Sequence, residues 1–331
     1  MKNHSRIIFC LSMVFLVHAA SVAQERILVK KNEFVTESGE LFVFRGYSSS
    51  DPDKLEKQNG WNSDYFKQLK NWGANIVRFP IHPRAWRERG EEEYLSLLDQ
   101  GIKWAEENDM YVIIDWHSIG NLKSSLFLND SYYTDIAETN NFWKTIAERY
   151  GDNPTVAFYE LFNEPTTNGN KFGVLKWDEW KSIMEELIVM IRANGAQGVP
   201  LVAGFNWAYD LSFVKDNPIA AEGIAYVSHP YPQKREKPWA GKWTEDWGFV
   251  KDNYPLVLTE IGYCGPDDEG AHVPVISDRS YGEAITEYAD QKNISYIVWV
   301  FDDDWSPKLY TDKNFTPTHY GSFWKDKLSA Y

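Results

Sequence analysis

The sequence is poor in cysteine and has no motif of the common metal or phosphate sites. Only 2 of its 331 residues are Cys. Its 7 His are not part of an HExxH motif, and there is no CxxC pair, so we expect no metal. A GxSxG elbow, a Gly-rich phosphate loop and a dinucleotide fingerprint are also missing. We therefore expect a protein that works without a cofactor.

Positive charge is scarce as well. The chain has 34 basic and 48 acidic residues, for a net charge of -14. A surface this acidic disfavours nucleic acids and anionic membranes as partners. What the chain does have is 43% hydrophobic and 16% aromatic residues, with 15 Trp. That composition excludes a disordered or fibrous protein and predicts a folded chain.

The N-terminus has the pattern of a secretory signal over residues 1–23. Lys2 and Arg6 precede an apolar run at 7–17 that is short for a membrane span, and small residues lie at the expected cleavage point. An uncleaved membrane anchor is the alternative. Cleavage would leave Cys264 as the single cysteine, so no disulfide is expected within the mature chain. We expect a secreted protein with no membrane segment after cleavage.

Apolar runs of strand length alternate with segments of helical period along the rest of the chain. The strand-like runs are Leu41–Arg45, Ala74–Phe79, Tyr111–Asp115, Thr155–Phe162, Pro200–Ala203, Ile224–Ser228, Leu256–Ile261 and Tyr296–Phe301. Continuous β-branched and apolar composition is typical of parallel strands covered on both faces. This pattern therefore predicts that residues 24–331 form one (β/α)8 TIM barrel. A doubly wound open sheet is the alternative. A hairpin over Ile27–Leu41, turning at Glu37–Glu40, is expected to close the barrel bottom.

Polar and aromatic side chains follow the predicted strand ends, where barrel enzymes carry their function. Glu164 ends the fourth strand and Glu260 the seventh, so a closed barrel brings them to one opening. Paired carboxyl groups are what glycosidic bond cleavage requires, one protonated and one ionised. Taken singly, such acids are more often helix caps or loop ion pairs. The presence of polar and aromatic residues at the corresponding ends of several predicted strands favours a catalytic site.

This set resembles glycoside hydrolase family 5, in the clan A barrel group, over nearly the whole chain after the signal. The residues that carry the resemblance are Arg78, His117, Asn163, Glu164, His229, Tyr231, Glu260 and Trp299. The resemblance implies retaining hydrolysis of β-linked glycans, with Glu164 as acid/base and Glu260 as nucleophile. It also implies surrounding roles: Arg78 and Tyr231 hold Glu260, Asn163 binds the sugar 2-hydroxyl, His117 and His229 line the −1 subsite, and Trp299 is its aromatic platform.

Several tryptophans outside this set fall in loops after strands. Trp207 is our first choice for a leaving-side subsite, and Trp116 is a further candidate for substrate contact. The segment Pro232–Trp243 carries four basic residues and is expected to rim the cleft. Its Trp239 and Trp243 are equally open to sugar stacking or to core packing.

Other acidic residues near strand ends are expected to be structural. Glu160 lies inside the fourth strand and should pair with a barrel arginine such as Arg45. Asp115 should be structural or should orient a site histidine. The runs Asp302–Asp304 and Asp267–Glu269 lack the spacing of a calcium loop, and we interpret them as solvated.

The sequence thus predicts a secreted, monomeric endo-β-1,4-glucanase that acts on β-glucan polysaccharide or oligosaccharide and needs no cofactor. A β-mannanase, glucomannanase or xyloglucanase on the same scaffold is the nearest alternative. A non-catalytic carbohydrate-binding protein is the alternative from another class.

Overall fold

The computed structural model describes residues 24–331, so the predicted signal at 1–23 lies outside the described residues. The strands are β1 (Ile27–Lys30), β2 (Glu33–Thr36), β3 (Arg45–Ser49), β4 (Ile76–Ile81), β5 (Tyr111–Trp116), β6 (Ile119–Asn121), β7 (Leu126–Phe127), β8 (Val156–Glu160), β9 (Glu164–Pro165), β10 (Val199–Ala203), β11 (Ala225–Val227), β12 (Leu256–Ile261) and β13 (Ser295–Phe301). The helices are α1 (Pro52–Lys57), α2 (Ser63–Asn71), α3 (Pro83–Arg89), α4 (Glu91–Glu106), α5 (Ile136–Tyr150), α6 (Trp177–Ala193), α7 (Phe205–Ala208), α8 (Ala240–Asp246), α9 (Arg279–Asp290) and α10 (His319–Leu328). Short 3-10 turns lie at Ser212–Lys215, Pro232–Lys234 and Gly248–Asp252.

Eight of the strands form a closed parallel barrel, in the order β10-β11-β12-β13-β3-β4-β5-β8. Branched aliphatic side chains such as Ile76, Ile113 and Val199 fill its interior, and a larger apolar cluster packs the helices around it. This arrangement confirms the predicted (β/α)8 fold over the open sheet, because strand pairing returns to its starting point.

The first barrel strand begins later than the sequence indicated. The predicted run was Leu41–Arg45, but β3 covers Arg45–Ser49. Phe44 instead lies at the lower end of the barrel, with its ring 4.9 Å from that of Phe158. The aromatic residues that resembled a strand are therefore packing residues below it.

The predicted hairpin exists and closes the barrel bottom, with one more reversal of the chain than predicted. β1 and β2 pair antiparallel around Lys31 and Asn32, and Lys31 has a φ of 58°. The predicted turn at 37–40 is also present, because Val35 of β2 pairs antiparallel with Leu41 across it. Phe34 of β2 packs edge-on against Phe158 at 5.0 Å. The plug is thus fixed by aromatic contacts.

A second, three-stranded sheet lies above the barrel and was not predicted. It has the order β7-β6-β9, and Ile119 of β6 is paired with Glu164 of β9. The backbone N–H of Glu164 donates to the Ser118 carbonyl at 3.0 Å. The loop after β5 therefore fixes the position of Glu164.

Some helix starts in the described chain are capped by side chains. Asp135 caps α5 by accepting from the Glu138 N–H, and Asp278 caps α9 in the same way from Ser280. Across residues 24–331, none of the helices combines the length and apolarity that crossing a bilayer would require.

Candidate active site

A cavity of about 630 Å³ opens at the carboxyl ends of the barrel strands. Glu164 and Glu260 line it together with His117, Trp207 and Trp299. It occupies the end of the fold at which barrel enzymes bind their substrates.

Arg78 of β4 is the centre of a buried ionic network below the cavity. Its Nη1 donates to Glu260 Oε1 at 2.9 Å, and its Nε donates to Glu160 Oε2 at 2.7 Å. Nη2 donates to Asn163 Oδ1 at 2.7 Å and lies 2.9 Å from Asp115 Oδ2. Surrounding carboxylates keep this guanidinium charged despite its complete burial.

Glu260 is held at both carboxyl oxygens. Arg78 binds Oε1, and the Tyr231 hydroxyl donates to Oε2 at 2.8 Å. Burial raises the pKa of Glu260 above its ordinary value, while the cations of His229 and Arg78 oppose that rise. Glu260 is therefore a fixed carboxyl group whose ionisation depends on its cationic neighbours.

His229 connects the second carboxyl group to the barrel interior. Its Nδ1 lies 3.0 Å from Glu164 Oε1, and its Nε2 lies 2.9 Å from Thr259 Oγ1. Burial alone would lower the pKa of His229, but neighbouring carboxylates, Glu260 foremost, outweigh burial and raise that pKa to about 9. The ring is thus an imidazolium at neutral pH, with a proton on each nitrogen.

Glu164, His229 and Glu260 each direct one polar atom to the same point, and these atoms lie within 4.8 Å of one another. Such a trio has the donor types of a metal site. A protonated His229, however, has no free lone pair to offer a metal ion. The trio is therefore better suited to holding two carboxyl groups by hydrogen bonds and charge than to binding a metal.

His117 and Trp299 form the side of the cavity toward β13. Their rings are nearly parallel, at 8°, with centroids 5.4 Å apart. Asp115 Oδ2 lies 2.7 Å from His117 Nδ1 and orients that ring. Burial lowers the pKa of His117 well below its ordinary value, so this histidine is neutral. The exposed part of Trp299 is a flat apolar surface of the kind that a pyranose ring can cover.

Residues 35–304 match the family model described as cellulase, glycosyl hydrolase family 5. The chain belongs to this family. The match spans the barrel from β2 to the loop after β13, and includes the whole of the buried network.

Similar proteins agree with the family assignment. The β-glucanase SdGluc5_26A of Saccharophagus degradans, solved in complex with cellotetraose, superposes with a TM-score of 0.92 at 47% identity, covering 93% of this chain and 94% of that one. Endoglucanase A of Butyrivibrio fibrisolvens is 26% identical over 245 residues, which are 72% of this chain and 52% of the relative. The chain thus spans about half of that relative's length. The catalytic domain of Thermobifida fusca endoglucanase Cel5A, at 20% identity and a TM-score of 0.75, shares the fold.

The network of this family 5 chain corrects the pairing expected for Glu160. Glu160 pairs with Arg78 and not with Arg45. Arg45 sits at the start of β3, where it binds Asp290 at 2.8 Å and stacks on Tyr296. In the sheet register Arg78 is aligned two residues before Glu160, whereas Arg45 lies three residues lower on the neighbouring strand.

Trp116 does not line the cavity, so its predicted contact with substrate is wrong. It is fully buried, stacks on Phe142 of α5 at 4.1 Å and donates to Thr139. Alternate strand residues point to opposite faces, so Asp115 and His117 face inward while Trp116 faces the helices.

Trp207 does line the cavity, on an unusual backbone. Asn206, Trp207 and Ala208 have φ values of 57°, 55° and 54°, so α7 is a left-handed turn. Such residues are strained by about 1 kcal/mol or more each. Lys234 holds the turn, because its Nζ donates to the Asn206 carbonyl at 2.9 Å and lies 4.9 Å from the Trp207 ring.

The segment Pro232–Trp243 contributes less to the cavity than its sequence suggested. Gln233 and Lys234 line the cavity, but Trp239 and Trp243 are buried, stacked on each other at 5.7 Å. Both pack against Tyr281 of α9. These two tryptophans therefore belong to the core, which resolves the open choice in favour of packing.

The acids after β13 are not all solvated. Asp302 is fully buried and accepts a 2.7 Å hydrogen bond from Lys54, while Asp303 is paired with Lys313. Asp302 also caps the turn that carries Trp305, whose ring stacks on Trp299 at 5.8 Å. The expectation of a solvated run was wrong for Asp302, because this residue is buried. It supports the turn whose Trp305 packs on Trp299.

Two residues of the site were missed by sequence analysis. Thr259 lies between His229 and Glu160, and Tyr132 lines the cavity beside His117. Thr259 had a usable signal, because a hydroxyl directly before Glu260 at a strand end is an unusual interruption of the apolar run Leu256–Leu258. Tyr132 lies in a long loop with no periodic pattern to place it.

Proposed function

We propose that this protein is an endo-β-1,4-glucanase that hydrolyses β-1,4-glucan chains with retention of configuration. The observation that carries the proposal is the approach of a Glu164 oxygen to within 4.8 Å of a Glu260 oxygen. Retaining enzymes place their carboxyl groups about 5–5.5 Å apart, whereas inverting enzymes need about 6.5–9.5 Å to admit a water molecule. The family and the names of its endoglucanase relatives support the choice of substrate.

The reaction proceeds in two displacements. Glu260 attacks the anomeric carbon while Glu164 protonates the oxygen of the departing chain. Glu164 then takes a proton from the water that attacks the glycosyl-enzyme, and Glu260 leaves as a carboxylate. Arg78 and Tyr231 bind the two oxygens of Glu260 and set the direction of attack.

The −1 sugar lies on Trp299, between His117 and Asn163. Asn163 Nδ2 is buried and has no partner among the described residues, so it is free to donate to the sugar 2-hydroxyl. His229 holds Glu164 and closes this subsite from below. On the leaving side, Trp207 offers its ring to the next sugar along the cavity.

The deciding experiment measures the reducing ends released from carboxymethyl cellulose, mannan and xyloglucan in parallel. Fastest release from the cellulose derivative is expected. Faster release from mannan or xyloglucan would indicate the nearest alternative activities, and no release with retained binding would indicate a non-catalytic protein. NMR of the first-formed product should show the β-anomer, whereas an α-anomer would contradict the assignment of Glu260 as nucleophile.

The proposal includes secretion after removal of residues 1–23 and action as a monomer. The sequence pattern of the N-terminus supports secretion, and the lining of the cavity by residues of one chain supports the monomer. N-terminal sequencing of the exported protein and its mass in solution test them.

A further inference from the structure

Glu160 is a fully buried carboxylate that the mechanism above does not use. Its Oε2 accepts from Arg78 Nε at 2.7 Å. Its Oε1 accepts from Arg78 Nη2 at 3.1 Å and from the Thr259 hydroxyl at 2.8 Å. Both oxygens are thus committed to partners that themselves reach toward the cavity.

One of these connections leads to Glu260. The contact of Glu160 with Nε and Nη2 is bidentate, and such pairing fixes the plane of a guanidinium. With that edge of Arg78 held, the remaining Nη1 points at Glu260 Oε1, 2.9 Å away. The position of the nucleophile therefore depends on the orientation that Glu160 gives to Arg78.

The other connection leads to Glu164. The Thr259 hydroxyl has one proton, which it donates to Glu160, so its oxygen must accept from His229 Nε2. That hydrogen bond fixes the ring of His229. It leaves Nδ1 directed at Glu164 Oε1, 3.0 Å away.

Glu160 accepts hydrogen bonds both from Arg78 and from Thr259. Burial opposes its ionisation, but the charges of Arg78 and His229 outweigh burial and hold the pKa of Glu160 below its ordinary value. Besides Glu160, Arg78 contacts the carboxylates of Glu260 and of Asp115, which faces His117. Glu160 differs from these two because it also accepts from the Thr259 hydroxyl, which lies against His229 Nε2.

We propose that Glu160 is a positioning residue that aligns both carboxyl groups at once, Glu260 through Arg78 and Glu164 through Thr259 and His229. The inference rests on the proposed function for the roles of Glu164 and Glu260. It assigns to Glu160 and Thr259 a coupling of nucleophile and acid/base that neither residue performs by touching the sugar.

The Thr259 branch is tested by the dependence of rate on the leaving group. 2,4-Dinitrophenolate leaves without a proton, so a misplaced Glu164 should matter little for 2,4-dinitrophenyl β-cellobioside and much for cellotetraose. We expect T259V to lower kcat/KM about tenfold on cellotetraose and less than about twofold on the aryl substrate. T259S, which keeps the hydroxyl, should restore the wild-type values.

A matched control is available away from the cavity. Thr286 of α9 is also buried, and its hydroxyl donates to the Gly282 carbonyl at 2.9 Å. T286V removes a comparable hydrogen bond and should leave both kcat/KM values unchanged. Equal losses on the two substrates for T259V, or no loss on either, would overturn the Thr259 branch.

The Arg78 branch is tested by E160Q. In E160Q a donor NH2 replaces one of the two acceptor oxygens, so one guanidinium hydrogen bond is lost together with the negative charge. Arg78 should then no longer align Glu260, which both substrates need. We expect kcat/KM to fall about 100-fold on both substrates. Near wild-type activity of folded E160Q on the aryl substrate would overturn this branch. Should E160Q not fold, the proposal is decided by T259V against T259S.

E164Q separates this inference from the function on which it rests. If Glu164 is the acid, E164Q lowers kcat/KM on cellotetraose far more than on the aryl substrate, because kcat/KM reports the first displacement, before Glu164 acts as a base. Equal loss of kcat/KM on both substrates would contradict the proposed function itself. Selective loss for E164Q without selective loss for T259V would leave the function standing and refute the role of Glu160 and Thr259.

Discussion

The two ends of the barrel bury opposite kinds of side chain. At the lower end, Phe34 and Phe44 pack edge-on against Phe158, with centroids 5.0 and 4.9 Å away. At the upper end, Arg78 and Glu160 occupy equally buried positions inside the same barrel. The lower end is closed by an apolar plug, whereas the upper end holds charges that pair with one another below the open cavity.

We infer that the lower end contributes mainly to the stability of the fold and the upper end mainly to the reaction. Burial of an aromatic side chain stabilises the fold by a few kcal/mol, with no demand on geometry beyond packing. A buried ion pair roughly breaks even, because desolvation offsets the attraction between the charges. Substitutions at the lower end should therefore change unfolding, and substitutions at the upper end should change rates.

The largest effect is expected for E260Q. Loss of the nucleophile should reduce kcat on cello-oligosaccharides by at least about 1000-fold. The free energy of unfolding should stay within about 1 kcal/mol, because burial already disfavours the charged form of Glu260. Turnover and urea denaturation of the same preparation measure both. A variant that keeps a tenth of the wild-type rate would contradict the role of Glu260.

The reverse pattern is expected for F34A in the plug. Phe34 is 3% exposed, and removing a buried phenylalanine ring destabilises a protein by about 3–5 kcal/mol. Since β2 lies at the opposite end from the cavity, kcat/KM of the folded variant should change less than about twofold. F34L, which keeps most of the volume, is the control. A large fall in kcat/KM at a temperature where F34A is folded would contradict the separation of the two ends.

An intermediate effect is expected for Y231F. The Tyr231 hydroxyl donates to Glu260 and lowers the pKa of that carboxyl group, against the rise caused by burial. A hydrogen bond to a charged group is worth about 1.5–3 kcal/mol, so kcat/KM should fall about 10- to 100-fold.

The pH profile of Y231F is a second test, because the direction in which its acidic limb moves can be predicted. Glu260 must be ionised to attack, so activity is lost as pH falls through its pKa, which burial places above the ordinary glutamate value. Y231F should move this acidic limb to higher pH. A limb that stays in place or moves to lower pH would show that it reports another group.

The same contrast explains what the sequence could and could not predict. The barrel followed from apolar runs, and Glu164 and Glu260 from their places at strand ends. The partner of Glu160 did not follow, because Arg45 and Arg78 both lie on barrel strands. The register between strands decides it: Arg78 is aligned through Ile113 with Phe158, two residues before Glu160, whereas Arg45 lies three residues before Ser48, the partner of Arg78.

Side-chain direction was the other missing quantity. Trp116 and His117 are neighbours in sequence, yet one packs on α5 and the other on Trp299. A shift of one residue in a strand reverses the face, and strand ends are the least certain part of any sequence pattern. Loops have no period at all, so the left-handed turn of Trp207 could not have been predicted.

The smallest effect is expected for a substitution of Trp207, compared with one of Trp116. W207A removes a half-buried ring from the leaving side of the cavity, and losing about 1 kcal/mol of sugar contact should raise KM on cellohexaose about fivefold, with kcat nearly unchanged. W116F lies behind the barrel wall and should lower the unfolding midpoint while leaving KM as it is. Initial rates over a range of cellohexaose concentrations, with thermal unfolding of each variant, distinguish them. A rise in KM for W116F to match W207A would mean that the barrel wall transmits packing changes to the cavity, and that the boundary between core and substrate surface lies deeper than Trp116.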